Sequence, residues 1–348
     1  MMSFPLRAIY LALLLCLPML FGGCSNVEQT EEAADSSWDE IPVVEPKADS
    51  FDNKMITADE MRKLLGVGEE VQFEKRGKDF ISANLANSDA KTLEPLKGQP
   101  LKLLVIAGTE ISDLSPLAGM PLERLGLMDA PVSDLTPLKD CPLIELEGTN
   151  TQIADLSPLA GKSTLKRLYL ENAQVKDLSP ITTLELEQLW INGCPVEDLS
   201  PLEGKSIQEL NLCDTKIADL STLSTMTLGG ILWLRNTPVT NLEPLTVHDL
   251  VSLDIQGTKV SDLSPLSKMT TLQRLNIADI PATDVTPLAK LPLNRLILSP
   301  ENITTGMDAL RAMPTLRQID TSFDGAAKAM SAGEFWSRYD AGEFKAEK

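Results

Sequence analysis

A five-residue phrase that returns at a nearly fixed spacing constrains the fold of this chain more than any other feature. The phrase is Asp-Leu-Ser-Pro-Leu or a close variant, and successive copies lie 21 or 22 residues apart. A period of this size predicts stacked repeats rather than the two independent domains that 348 residues would otherwise suggest. The copies begin at Asp113, Asp134, Asp155, Asp177, Asp198, Asp219, Asn241, Asp262 and Asp284, and a shortened copy begins at Leu93.

A second pattern, Leu-x-x-Leu-x-Leu, precedes most copies of the phrase, as at Leu122, Leu125 and Leu127. Its last two leucines alternate with period two, so a short strand would point both inward and turn the residue between them outward. The Ser/Thr-Pro pair of the phrase predicts an N-cap followed by a short helical or 3₁₀ turn. We expect the Asp of each copy to cap that turn.

Together the two patterns resemble the leucine-rich repeat, in its short bacterial variety similar to the internalin repeat. The resemblance spans residues 80–321 and implies an α/β leucine-rich-repeat solenoid. Its parallel β-sheet would line the concave face, and short 3₁₀ or turn segments would line the convex face. The family most often places Asn at the ninth position, where this chain has Thr109, Thr151 and Thr237. We therefore expect these turns to depend more on main-chain hydrogen bonds.

Both ends of the array carry sequences that predict caps. In residues 55–79, Thr57-Ala-Asp-Glu60 is a capping box that would open a small helix, and 71–73 would pair as a strand. Residues 322–348 include Phe335-Trp-Ser-Arg-Tyr339, which resembles the tail that closes leucine-rich-repeat modules in planctomycete-type bacteria. We interpret this tail as a C-terminal cap, with a docking peptide as the alternative.

The amino terminus has the pattern of an export signal. Residues 1–23 combine one basic residue with a short apolar run, which predicts a signal peptide. The segment 20–24, Leu-Phe-Gly-Gly-Cys, resembles the lipobox of bacterial lipoproteins. That resemblance implies a lipidated Cys24 that anchors the chain to a membrane, and Ser25 after it favours the outer membrane. An ordinary cleaved signal and a retained anchor are the alternatives. Residues 24–54 are acidic and lack apolar periodicity, so we expect a disordered tether.

Candidate binding residues occupy the outward strand positions of consecutive repeats. Tyr169, Trp190 and Trp233 fall in the column between the inner leucines. Aromatic residues and arginine are enriched at binding hot spots, so we expect a ligand site there. The alternative is that the rings only shield the sheet. The predicted binding residues also include charged residues of the same and flanking columns, namely Arg167, Arg235, Glu147, Glu171 and Asp254.

Charge and residue usage exclude several classes of function. A net charge of −19 without a basic patch argues against a nucleic-acid partner. A single histidine, His248, excludes two-histidine metal sites, and we expect it in a surface turn. We predict no metal, no cofactor and no enzymatic activity. The expected function is a non-catalytic binding or scaffold lipoprotein of the bacterial envelope that recognises a protein through its concave face. Polysaccharide or host-surface adhesion and structural assembly of the envelope are the alternatives.

Overall fold

The computed structural model describes residues 56–322 and 329–344 of the 348-residue chain. The predicted signal peptide, the lipidation site Cys24 and the acidic tether lie outside these residues, as does part of the predicted C-terminal cap.

The described residues build one sheet of thirteen strands that follow one another in chain order. The first two strands pair antiparallel, and every later pair is parallel. This arrangement is the predicted solenoid sheet. The strands are β1 (Gln72–Arg76), β2 (Asp79–Asn84), β3 (Leu103–Val105), β4 (Arg124–Gly126), β5 (Glu145–Glu147), β6 (Arg167–Tyr169), β7 (Gln188–Trp190), β8 (Ser206–Asn211), β9 (Thr227–Trp233), β10 (Ser252–Asp254), β11 (Arg274–Ile277), β12 (Arg295–Leu298) and β13 (Gln318–Asp320).

Short 3₁₀ helices return the chain from one strand to the next, as predicted. They are Glu94–Leu96, Ser115–Leu117, Thr136–Leu138, Ser157–Leu159, Ser179–Ile181, Ser200–Leu202, Ser221–Thr225, Glu243–Leu245, Ser264–Lys268, Thr286–Lys290 and Pro300–Asn302. Three α-helices complete the described chain: α1 (Ala58–Leu65), α2 (Met307–Arg311) and α3 (Ala332–Asp340). The leucines of the repeats form a continuous core between the strands and the 3₁₀ helices.

Eight of these 3₁₀ helices are capped by the aspartate of their phrase, and Asn241 takes its place before Glu243–Leu245. In a typical repeat, Asp198 Oδ1 accepts the Ser200 N–H at 2.8 Å, and Oδ2 accepts the Ser200 hydroxyl at 2.7 Å. The serine itself is the first 3₁₀ residue, and Leu199 precedes it as the N-cap without a side-chain bond. The prediction of serine as the N-cap was therefore wrong, because the Ser200 hydroxyl donates to the Asp198 carboxylate instead of accepting an N–H of the turn. These hydrogen bonds hold the pKa of Asp198 below its usual range.

The turn after each strand is held by side chains as well as by the main chain. Thr237 Oγ1 donates to Leu234 O at 2.7 Å. The preceding Asn236 has a φ of 56° and donates from Nδ2 to Asp214 Oδ1 at 2.8 Å. Asn and Asp tolerate this left-handed conformation better than other residues with a side chain. Sequence reasoning missed this second column of Asn, Asp and Gly, which links neighbouring repeats.

A helix packs against each end of the described sheet. The Thr57 side chain caps α1 through the predicted capping box, and Met61 of α1 is fully buried. At the other end, Ser331 caps α3 by accepting the Glu334 N–H, and α3 buries Phe335 completely. These contacts cover apolar surface that the terminal repeats would otherwise expose to water.

Candidate binding surface

The strand register places the predicted site residues in one row. We call the sheet face opposite the buried leucines the outer face. On this face Glu147 pairs with Tyr169, and Tyr169 pairs with Trp190. Asn211 lies between Trp190 and Trp233 in the same register. We call Tyr169, Trp190 and Trp233 the aromatic column.

The three rings of the aromatic column contact one another edge to face. The Tyr169 and Trp190 ring centroids are 5.4 Å apart, and the ring planes meet at 79°. The Trp190 and Trp233 centroids are 5.9 Å apart at 70°. Two strand spacings amount to about 9.6 Å, so the tryptophan rings incline toward each other above Asn211. Edge-to-face contacts of this kind stabilise the arrangement and leave all three rings half-buried.

Polar groups around the rings are only partly paired. The Tyr169 hydroxyl donates to Gln188 Oε1, and burial raises its pKa above the usual range. Among the described residues, Trp190 Nε1, Asn192 Oδ1 and Glu209 Oε2 are buried without a hydrogen-bond partner. A buried polar group left unpaired costs about 1–3 kcal/mol. The centre of the outer face is therefore not optimised for stability alone.

On the C-terminal side of the aromatic column, an ion pair fixes Arg235. Its Nη2 lies 2.9 Å from Asp254 Oδ2, and Asp254 Oδ1 accepts the Gln256 N–H at 3.0 Å. Asp254 is only 8% exposed, although it occupies an outward column. The geometry gives Asp254 the role of holding Arg235 rather than of reaching into solvent.

On the N-terminal side, acidic residues dominate. Arg167 donates from Nε and Nη2 to Glu145 Oε2, at 3.0 and 2.9 Å. Glu171 accepts the Thr149 hydroxyl at 2.6 Å, and burial raises its pKa. Burial, followed by the nearby charges of Glu171 and Glu145, raises the pKa of Glu147 to about 7.

An irregularity between β8 and β9 lies in the strand that ends at Trp233. Ile207 pairs with Leu228 and Glu209 with Ile231, so two glycines, Gly229 and Gly230, oppose one residue of β8. A β-bulge bends the strand that carries it and re-aims the side chains beyond it. Sequence reasoning missed this bulge, for which the adjacent glycines in a strand segment were the available signal.

Other expectations concern groups away from the aromatic column. The surface position predicted for His248 was wrong: the ring is 9% exposed, and its Nε2 lies 2.8 Å from Leu223 O. No group of three potential metal ligands occurs among residues 56–322 and 329–344. Within the same residues, every helix is too short or too polar to cross a bilayer.

Comparison with solved structures identifies the fold. An internalin of Listeria monocytogenes, InlF, superposes with a TM-score of 0.53 at 22% sequence identity, covering 77% of this chain and 95% of its own. A leucine-rich-repeat protein of Leptospira interrogans gives a TM-score of 0.44 at 15% identity, covering 73% and 79%. No family model and no curated protein matches the sequence. The repeat spacing, the sheet register and the likeness to InlF together define a leucine-rich-repeat solenoid of the internalin-like type.

Proposed function

We propose that this chain is a non-catalytic binding protein that holds a protein partner on the outer face of its sheet. The observation that carries the proposal is the contact chain of Tyr169, Trp190 and Trp233 on that face. Trp, Tyr and Arg are the residues most enriched at binding hot spots. The sequence predicts that this face is concave, which would let it enclose part of a partner.

The surroundings of the aromatic column favour binding over simple shielding of the sheet. Ring contacts restrict the three aromatic side chains before a partner arrives, so little side-chain entropy remains to be lost on binding. Ion pairs restrain Arg167 and Arg235 on either side in the same way. Glu147 and Glu171 add negative charge at the N-terminal side, and Asp254 keeps Arg235 in place at the C-terminal side.

Affinity capture from a native envelope extract tests this proposal. The immobilised full chain is compared with the Trp190→Ala/Trp233→Ala double variant, and captured proteins and glycans are identified by mass spectrometry. We expect one protein that the wild-type chain captures and the double variant loses, with circular dichroism unchanged. A polysaccharide that the wild-type chain captures and the double variant loses would show that the ligand is a glycan and not a protein. Equal capture by both chains would move the site to the caps and favour an assembly role.

We also propose that the chain is a lipoprotein of a bacterial envelope, anchored through Cys24. The lipobox-like segment before Cys24 and the acidic residues after it support this proposal. Metabolic labelling with an alkyne-tagged fatty acid tests it directly. The wild-type chain should carry the label in the outer-membrane fraction, whereas Cys24→Ser should carry none. A labelled Cys24→Ser chain would contradict the anchor.

The proposal includes no catalytic step. The side chain most often used as a general base, histidine, occurs once, and His248 is buried against a main-chain carbonyl. We therefore assign the charged residues of the outer face to recognition.

A further inference from the structure

The space beside Glu147 on the outer face is open on one side because its neighbour in the row has no side chain. The residue paired with Glu147 on β4 is Gly126. A Cβ built on Gly126 would lie 3.7 Å from Glu147 Oε2 and 3.4 Å from Val105 Cγ1. The Glu147 carboxylate therefore reaches toward β4, and the space above Gly126 between the carboxylate and Val105 would hold about one methyl group.

Glu147 differs from its acidic neighbours in that nothing in the fold pairs with it. Glu145 receives two hydrogen bonds from Arg167, and Glu171 receives one from Thr149. Among the described residues, no hydrogen bond or ion pair reaches the Glu147 carboxylate, and the charges that act on it are acidic.

The remaining charged groups around Glu147 leave the excess of negative charge near it unchanged. Asp129 is the third acidic group that acts on it. Arg124 lies on the same face of β4, two residues before Gly126, and has an interaction of its own. Burial together with three like charges raises the pKa of Glu147 to about 7. A partly buried carboxylate without a counter-charge destabilises the folded chain, and such groups cluster at functional sites.

We propose that the protein partner places the charge of a lysine or arginine side chain on the Glu147 carboxylate, over Gly126, where the strand carries no side chain. This inference rests on the proposed function and names the chemistry that the partner must bring. Glu147 and Tyr169 are paired residues on strands about 4.8 Å apart, so a cationic side chain bound at Glu147 lies next to the aromatic column. A charge-assisted hydrogen bond to a partly buried carboxylate is stronger than one at an open surface.

A random peptide library displayed on phage and panned on the immobilised full chain tests the inference. Peptides are kept when Trp190→Ala/Trp233→Ala abolishes their binding, which selects for the aromatic column. Each kept peptide is then synthesised in two forms, one with its lysine or arginine and one with norleucine in that place. Dissociation constants of both forms are measured at pH 8 for the wild-type chain, Glu147→Gln and the exposed control Glu197→Gln.

We expect every kept peptide to contain a cationic residue whose replacement by norleucine weakens binding at least tenfold. Glu147→Gln should cause a similar loss and should remove the effect of norleucine, whereas Glu197→Gln should bind like wild type. Binding to the wild-type chain should also strengthen from pH 6 to pH 8, as Glu147 loses its proton, and binding to Glu147→Gln should not.

Kept peptides that bind Glu147→Gln as tightly as wild type would overturn the inference while leaving the aromatic column as the binding site. A library from which no peptide depends on the tryptophans would count against the proposed function itself. That result would overturn the inference about Glu147 as well.

Discussion

Replacing Glu147 with Gln should stabilise the folded chain at high pH and leave it unchanged at low pH. The pKa of Glu147 is about 7 in the folded chain, against 4.5 for an unperturbed glutamate. The folded chain therefore binds this proton more tightly than the unfolded chain does. That contribution to stability is fully present below about pH 4.5 and is lost as the pH rises through about 7. A difference of about 2.5 pKa units corresponds to about 3 kcal/mol, which solvent screening of the exposed part of the side chain reduces.

Urea denaturation of both chains between pH 4.5 and pH 8.5, followed by circular dichroism, measures this effect. Gln has nearly the shape of a protonated glutamate, and it is uncharged at every pH. We expect Glu147→Gln to exceed wild type by about 2–3 kcal/mol at pH 8, with equal stability near pH 4.5. The exposed Glu197→Gln serves as the control and should follow wild type. A constant difference between Glu147→Gln and wild type across the pH range would refute the reasoning.

Four further substitutions test the packing of the sheet, its turns and its C-terminal helix. Gly229→Ala would place a Cβ against the Gln208 carbonyl and should cost about 1–3 kcal/mol and shift the tryptophan fluorescence. Gly230→Ala should be tolerated, because its Cβ would lie 3.4 Å from a Val251 methyl group, an ordinary contact. Equal losses of stability in the two glycine variants would contradict the role given to the bulge. Thr237→Val should cost about 1–2 kcal/mol in urea denaturation because it leaves Leu234 O without its hydroxyl donor, and an unchanged midpoint would contradict that role. Phe335→Ala should cost about 3–5 kcal/mol and speed proteolysis at the C-terminal end, whereas a wild-type cleavage rate would show that α3 is not a stabilising cap.

Much of the fold could be predicted from the sequence because the same strand and turn pattern recurs in nearly every repeat. Leucine alternation gave the parallel strands, and the Asp column gave the capped 3₁₀ turns. The N-cap assignment failed at Ser200 because the Asp198 carboxylate accepts both the N–H and the hydroxyl of Ser200, so that hydroxyl donates instead of capping the turn. His248 was misplaced because a turn sequence says nothing about a carbonyl that a neighbouring repeat, 25 residues away, presents to it.

The candidate site was predictable only as a row of residues. Register placed Tyr169, Trp190 and Trp233 in one column, since each strand occupies the same part of its repeat. The contact of the two tryptophans across Asn211 and the unpaired state of Glu147 were not predictable. Both depend on how side chains from different repeats lean toward or away from one another, which the repeat pattern does not specify.

The dissociation constant of the captured partner, measured for the wild-type chain and for Trp190→Ala/Trp233→Ala, tests the central claim most directly. Two truncated hot-spot residues should weaken binding about 100-fold or more, while circular dichroism and the urea midpoint show that the solenoid remains folded. A dissociation constant within threefold of wild type, in a variant that is equally well folded, would contradict the assignment of the aromatic column as the binding surface.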